Sequence, residues 1–240
     1  MRRLGLLFAG LLIAAAPPAA ERAPEREMMV LEVENLAATA GTSHPRIERK
    51  VLDAMRKVPR HLMVPEEVRA DAYRNRPLPI GYEATISQPY IVALMTDLLD
   101  VQPGQKVLEV GTGSGYQAAI LAGLVAQVFS IEIVEPLAIR AGEQLAALGY
   151  INVIVRAGDG YAGWPEQAPF GRIIVTAGAD HVPQPLVDQL RPGGRMVIPV
   201  GKGGDLQLTV IDKSKKGRIS KRRVLPVSFV PLTRKAAGSR

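Results

Sequence analysis

Glycines 111, 113 and 115 stand in the run Val107-Leu-Glu-Val-Gly-Thr-Gly-Ser-Gly-Tyr-Gln117. Val107 to Val110 reads as a buried parallel strand, and Tyr116 opens a helix. Glycine lets the backbone turn tightly and approach a ligand with no Cβ in the way. The helix start offers unpaired N–H groups and a positive dipole end to a polar or anionic group. Strand, glycine turn and helix at this spacing make a site for a nucleotide-like cofactor. Gly111, Thr112, Gly113 and Gly115 are its loop candidates.

Three carboxylates extend that site. Glu132 ends the next strand, about twenty residues beyond the turn, where a carboxylate accepts both ribose hydroxyls. Asp159 and Gly160 follow a third strand and would bring an acidic side chain and bare backbone to an adenine edge. Glu109, two residues before Gly111, is placed to organise the loop or meet a cationic ligand group. Plainer roles compete: a packing turn for the glycines, a solvated strand end for Glu132, and a turn cap for Asp159. The Gly-x-Gly-x-Gly spacing also differs from the Gly-x-Gly-x-x-Gly of dinucleotide sites, yet a nicotinamide cofactor could use the same geometry. Residues outside the loop must decide.

The elements that position these residues alternate along the chain. Helical stripes run over Pro45 to Val58 and Ser87 to Asp100, the latter with Pro89 in its first turn. Strands at Lys106 to Val110, Gln127 to Ile131, Asn152 to Arg156, Arg172 to Thr176 and Arg195 to Val200 alternate with helices, among them Pro136 to Leu148 and Pro185 to Leu190. Leu206 to Asp212 and Arg223 to Val230 read as a hairpin around Lys215-Lys216-Gly217. The pattern predicts an α/β fold, a doubly wound and mostly parallel sheet with an antiparallel C-terminal edge and an N-terminal helical extension. Residues 28–240 are expected to form one domain, with 1–27 as an extension and Pro17 to Arg26 as its linker.

Composition excludes several chemistries. The chain has 240 residues and no cysteine, so disulfides, thiolate metal sites and cysteine nucleophiles are ruled out. His44, His61 and His181 match no metal spacing, and no metal is expected. The net charge of +7 is concentrated at the C-terminus, where residues 212–240 hold 10 Lys/Arg against one acid. The body from 28 to 211 is mildly acidic, so no nucleic-acid partner is expected.

Glu109-Val-Gly-Thr-Gly-Ser-Gly-Tyr-Gln-Ala-Ala119 resembles the first motif of Rossmann-like S-adenosylmethionine-dependent methyltransferases. Thr85-Ile86-Ser87-Gln88-Pro89 narrows the resemblance to the protein-L-isoaspartate (D-aspartate) O-methyltransferases. Similar stretches are Gly158 to Pro165, Ile173 to Ala177, Leu190 to Gly201 and Phe229 to Leu232, so the likeness covers about residues 45–233. Two departures fall near the fourth strand: Gly171 follows Ala168-Pro169-Phe170 where many members carry an acid, and Gly178 stands where a second alanine is more usual.

The resemblance implies methyl transfer from S-adenosyl-L-methionine to the α-carboxylate of L-isoaspartyl residues, and by the family name D-aspartyl residues, in damaged proteins. The ester then closes to a succinimide and repair begins. It assigns Ser87 as catalytic, with Thr85, Ile86, Gln88, Val175 and Thr176 shaping the substrate pocket and Phe229 to Leu232 nearby. Such chemistry fits a chain poor in histidine, because a carboxylate is already ionised at neutral pH and needs no strong base. What it needs is in-line positioning of two partners. Ser87 has a second reading as the N-cap of the helix behind Pro89. The rival functions are a nicotinamide-dependent oxidoreductase on the same fold and a non-catalytic adaptor.

Met1-Arg-Arg3 followed by the apolar run Leu4 to Ala16 has the length of a signal peptide, not of a confident membrane span. Pro17 and Pro18 make the cleavage site poor, and Met28 or Met29 could be the true start. The expectation is a cytoplasmic monomer without a stable membrane span, the alternative an exported protein.

Overall fold

The computed structural model describes residues 21–41, 44–202 and 205–234. The apolar run Leu4 to Ala16 therefore lies outside the described residues. Among those described, no helix is long and apolar enough to cross a membrane.

A seven-stranded sheet carries the fold. Its strands are β3 (Lys106–Val110), β4 (Gln127–Glu132), β5 (Val153–Ala157), β6 (Phe170–Val175), β7 (Leu190–Val200), β8 (Leu206–Lys213) and β9 (Ile219–Val227). They are ordered β5-β4-β3-β6-β7-β8-β9. The first five run parallel, and β8 and β9 close the edge antiparallel. After β3 the chain continues to one side through β4 and β5, then returns on the other through β6. The strand order thus reverses between β3 and β6, where a crevice opens beyond the carboxyl ends.

The pleat sorts residues onto two faces. Val107, Val128, Ile174 and Val197 belong to the core on the face covered by the helices. These are α2 (Arg49–Lys57), α3 (Pro89–Leu99), α4 (Tyr116–Ala122) and α5 (Glu135–Ala147), with α1 (Ala23–Thr39) packed on α2 and α3. Leu108, Val110, Phe129, Ile173 and Met196 face the second core, which Trp164, Phe170 and the short helix α6 (Gln184–Gln189) complete. Phe129 meets both Trp164 and Phe170 edge-on, at 5.3 and 6.0 Å between centroids.

A small hairpin, β1 (Leu78–Gly81) with β2 (Ala84–Ile86), was not foreseen from the sequence. Its turn residues Tyr82 and Glu83 both hold positive φ, 54° and 57°. That is the handedness a tight hairpin demands, although Asn and Gly are its usual occupants. The strand expected from Arg195 begins earlier, at Leu190, and takes in Pro192-Gly193-Gly194, where the pairing of β7 with β6 shifts register. The bulge absorbs the extra residues without ending the strand. The two departures from the family pattern are both crowded. A Cβ on Gly171 would stand 3.2 Å from the Arg191 guanidinium, and one on Gly178 would stand 2.5 Å from Leu206 Cδ1.

The expected linker through Arg26 is corrected, because α1 begins at Ala23 and crosses the boundary placed at 27/28. Arg26 is only 2% exposed. Its guanidinium donates to the Arg56 carbonyl at 2.6 Å, the Glu21 carbonyl at 3.1 Å and Tyr73 Oη at 3.0 Å. A charge that composition assigns to solvent is an anchor here, since buried donors must find acceptors.

Tyr73 Oη also lies 2.7 Å from His61 Nδ1. The arrangement that satisfies both contacts has Tyr73 accepting from Arg26 and donating to a neutral His61. Burial is the main force holding the His61 pKa below its ordinary 6.5, with Arg22 and Arg26 helping and Glu21 opposing. The unfolded chain therefore takes up a proton that the folded chain resists, and stability falls as pH drops through about 6.5. Urea midpoints should decline from roughly pH 7.5 to 5.5, and His61→Gln should flatten that slope. An unchanged slope in the variant would mean other groups set the acid limit.

Candidate functional site

The glycine loop leaves β3 under restraint from both neighbouring strands. Gly111 N–H donates to the Ile131 carbonyl at 2.8 Å on the β4 side. On the β6 side Thr176 N–H donates to the Val110 carbonyl at 2.9 Å, and Thr176 Oγ1 donates to the Gly111 carbonyl at 2.6 Å. Gly111 has φ 99°, and a Cβ there would lie 2.5 Å from Thr176 Oγ1. No side chain fits that position, and the backbone conformation independently favours glycine. Gly113 sits under Ile80 of β1, so the small hairpin roofs the loop. Gly115 is the N-cap of α4, at φ 80°, pressed against Leu145.

Over the loop opens a cavity of about 280 Å³. Of the candidate residues, Gly111, Thr112, Gly113, Glu132, Gly160, Thr85, Ile86, Ser87 and Thr176 all line it. Glu132 is fixed by the backbone it faces. Its Oε2 accepts Gly113 N–H at 2.8 Å and its Oε1 accepts Val134 N–H at 3.0 Å. Each carboxylate oxygen has capacity for another donor. The plainer reading of a solvated strand end is set aside, since Glu132 is 6% exposed. Gly160 admits the cavity close to β3, because a Cβ would meet Val110 Cγ1 at 2.4 Å.

Four expected residues stand elsewhere. Asp159 does not line the cavity; its Oδ1 accepts Tyr161 N–H at 2.9 Å and caps the following turn. A short acidic side chain at a turn start finds its own backbone first. Gly115 supports the loop from within the packing, and Val175 is wholly buried beside Val110 in the sheet. Glu109 lies beneath the loop, completely buried, on the helical face of β3.

Glu109 organises the loop through a hydroxyl relay. Its register partner Ser130 donates to Glu109 Oε2 in a very short contact, and Thr112 Oγ1 stands 2.6 Å from Ser130 Oγ. With Ser130 donating to Glu109, Thr112 must donate to Ser130. Burial drives the Glu109 pKa up to about 8, opposed by the Ser130 bond and aided by the charge of Glu132. Of its two expected roles, organising the loop and meeting a cationic ligand group, this relay supports the first, and burial disfavours the charged form of Glu109.

A second, more open groove of about 660 Å³ adjoins the cavity. Gln88, Tyr90 and Phe229 line it, and Thr85, Ser87, Thr176 and Val230 border both spaces. The C-terminal segment reaches this border because Gly178 N–H donates to the Val230 carbonyl and Leu232 N–H to the Gly178 carbonyl, at 2.8 and 2.7 Å. Ser87 is not the helix cap. The N-cap of α3 is Gln88, and Asn75 Oδ1 accepts the Tyr90 N–H at 3.0 Å in the capping role. No hydrogen bond among the described residues engages the Ser87 hydroxyl.

Among the lining residues that the sequence reading left out is Tyr116, with a buried arginine packed on its ring. Tyr116, the first residue of α4, is 1% exposed and lines the cavity floor. Arg60 packs on its far side, with Cζ 4.8 Å from the ring centroid. Nothing in the local pattern marks Arg60, which follows Pro59 and opens a single 3-10 turn, Arg60–Met63.

The state of Glu109 has a measurable consequence. The folded chain keeps a proton that an unfolded carboxyl, at 4.5, releases, so stability falls as pH rises from 4.5 toward about 8. Glu109→Gln keeps the shape and removes the titration. Its melting temperature relative to wild type should climb steadily between roughly pH 5 and 8. A constant difference would show that Glu109 is ionised in the fold.

The geometry has close relatives. Residues 34–237 match the family model described as protein-L-isoaspartate(D-aspartate) O-methyltransferase. Protein-L-isoaspartate O-methyltransferase 2 of Polaromonas sp. (strain JS666) is 58% identical over 193 residues, covering 80% of this chain and 92% of the relative. Protein-L-isoaspartate O-methyltransferase 1 of Cupriavidus necator is 55% identical over 216 residues, covering 89% and 83%. Among solved structures, a protein-L-isoaspartate O-methyltransferase superposes with a TM-score of 0.76 at 27% identity, over 89% of this chain and 66% of that one. A Plasmodium falciparum protein described as a putative member, in complex with S-adenosyl-L-homocysteine, gives 0.72 at 26% identity over 86% and 99%. With a family match across most of its length and relatives above half identity, this chain belongs to the protein-L-isoaspartate (D-aspartate) O-methyltransferase family.

Proposed function

We propose that this chain methylates the α-carboxylate of L-isoaspartyl residues in damaged proteins, using S-adenosyl-L-methionine, and so initiates their repair. One observation carries the site assignment: Thr85, Ser87, Thr176 and Val230 form the wall common to the cavity over the glycine loop and the more open groove beside it. A group held in the first space can meet a peptide laid in the second only at that wall.

The cavity residues suit the donor. The carboxylate of Glu132 stands in the wall to receive a ribose diol, and Gly111, Gly113 and Gly160 keep side chains away from the ligand. Bound there, the donor supplies an electrophilic methyl group on a positive sulfonium. The chain's own residues then have three tasks. Ser87, whose hydroxyl is not spent on capping α3, orients the incoming carboxylate by one hydrogen bond. Thr85 and Gln88 shape the peptide side of the wall, Ile86 its cavity side, and Thr176 holds the loop in place through the Gly111 carbonyl. Buried apolar neighbours such as Ile86 and Val92 limit water at the reacting centre. A carboxylate oxygen forms the new bond to carbon as the sulfur–carbon bond breaks, leaving a neutral ester and a neutral thioether. No proton moves, so no base is required. Val175 contributes by packing alone.

The decisive assay supplies labelled methyl donor with two peptides differing only in L-isoaspartyl against L-aspartyl. Label should enter the isoaspartyl peptide alone; equal labelling would sink the isoaspartyl reading, and no labelling would leave the adaptor alternative. Ser87→Ala should lower kcat/KM for that peptide by about 10- to 100-fold while S-adenosylhomocysteine affinity stays within a few-fold. A parallel loss of both would instead make Ser87 a structural residue.

A further inference from the structure

Arg60 has zero exposure, yet no carboxylate among the described residues pairs with it. Its Nε donates to the Ala72 carbonyl at 2.7 Å and its Nη2 to the Ser87 carbonyl at 2.8 Å. The guanidinium lies against the Tyr116 ring, and Nη1 has no hydrogen-bond partner. A buried cation is usually paired, because desolvation penalises a lone charge heavily. Two carbonyl dipoles and an aromatic face relieve that penalty only in part. Such a group is retained where its position or its charge serves something else.

The position is specific. Arg60 joins three segments distant in sequence: the irregular stretch ending at Ala72, the Ser87 junction between β2 and α3, and the first residue of α4 at Tyr116. Ser87 is the only one of the three that borders both the cavity and the groove. Its backbone is held from behind by Arg60 and its helix is capped from the side by Asn75. On the open side of Ser87, under the function proposed above, an anionic carboxylate must come to rest. We infer that Arg60 is a positioning residue for methyl transfer, fixing Ser87 through its carbonyl and providing from behind the unneutralised positive charge that favours the substrate carboxylate there.

The inference rests on Ser87 being the substrate-side residue. The test separates the two by first measuring wild-type labelling of the isoaspartyl peptide: if wild type does not label it, the functional reading fails, not the role of Arg60. Given an active wild type, Arg60→Gln removes the charge and Arg60→Lys keeps it while losing the two-pronged geometry. Arg60→Gln should reduce kcat/KM for the peptide by about 50-fold or more, chiefly through a raised KM, while the Kd of S-adenosylhomocysteine changes less than about 3-fold. Arg60→Lys should recover part of this, to within about 10-fold of wild type. Should Arg60→Gln not fold, Arg60→Lys decides alone: a loss of about 5- to 10-fold confined to the peptide supports the inference. Wild-type kinetics in either folded variant, or an equal loss of S-adenosylhomocysteine affinity, overturns it.

Discussion

The structure depends on how the chain leaves β3. At Val110 and Gly111 the backbone must bend out of a parallel sheet while both flanking strands still reach it. Ile131 accepts from the loop on one side, and Thr176 both donates to Val110 and grips Gly111 on the other. The gap between these neighbours leaves no room for a Cβ at Gly111. Because the loop is clamped at the switch point, its amides, Glu132 and the start of α4 share one fixed frame. Every cavity-lining position described above is set relative to that frame.

A layer of buried polar groups supports it from beneath. Thr112, Ser130 and Glu109 form one relay under the loop, and Arg60, Ala72 and Ser87 form another beside the wall shared by the cavity and the groove. Gln117 adds a third tie, donating to Thr96 across α3 and α4 at 2.9 Å. Satisfied buried networks favour one geometry over nearby alternatives. These networks retain some unpaired atoms, Glu109 Oε1, Arg60 Nη1 and Tyr116 Oη, close to the functional surfaces. Their cost is borne where geometry matters most for chemistry.

The parts of the site that were legible in the sequence are those whose signal is local. The glycine loop announces itself by conformational need, and Glu132 by its distance from that loop along an alternating pattern. Asp159 could be read either as a ligand-side acid or as a turn cap, and its Oδ1 accepts the N–H of Tyr161 two residues on. Residues whose partners come from elsewhere were incompletely read or unseen. Glu109 was placed correctly beside the loop, yet its charge state depends on complete burial. Arg26 looked like a linker residue because three acceptors, the carbonyls of Glu21 and Arg56 and the hydroxyl of Tyr73, cannot be seen from its neighbours.

Alternating strands and helices, glycine spacing and the Thr85–Pro89 stretch were enough to specify an α/β sheet, the loop over which the cavity opens and the family. Those features are periodicities and short-range backbone requirements, so they are written in consecutive residues. Tertiary structure decided which candidate groups face the cavity, which are neutral, and which residues hold Ser87 in place. Burial, pKa and long-range hydrogen bonds arise only when segments such as Arg60 and Ser87, or Gly178 and Val230, are brought together. No window along the chain contains both halves of such a contact.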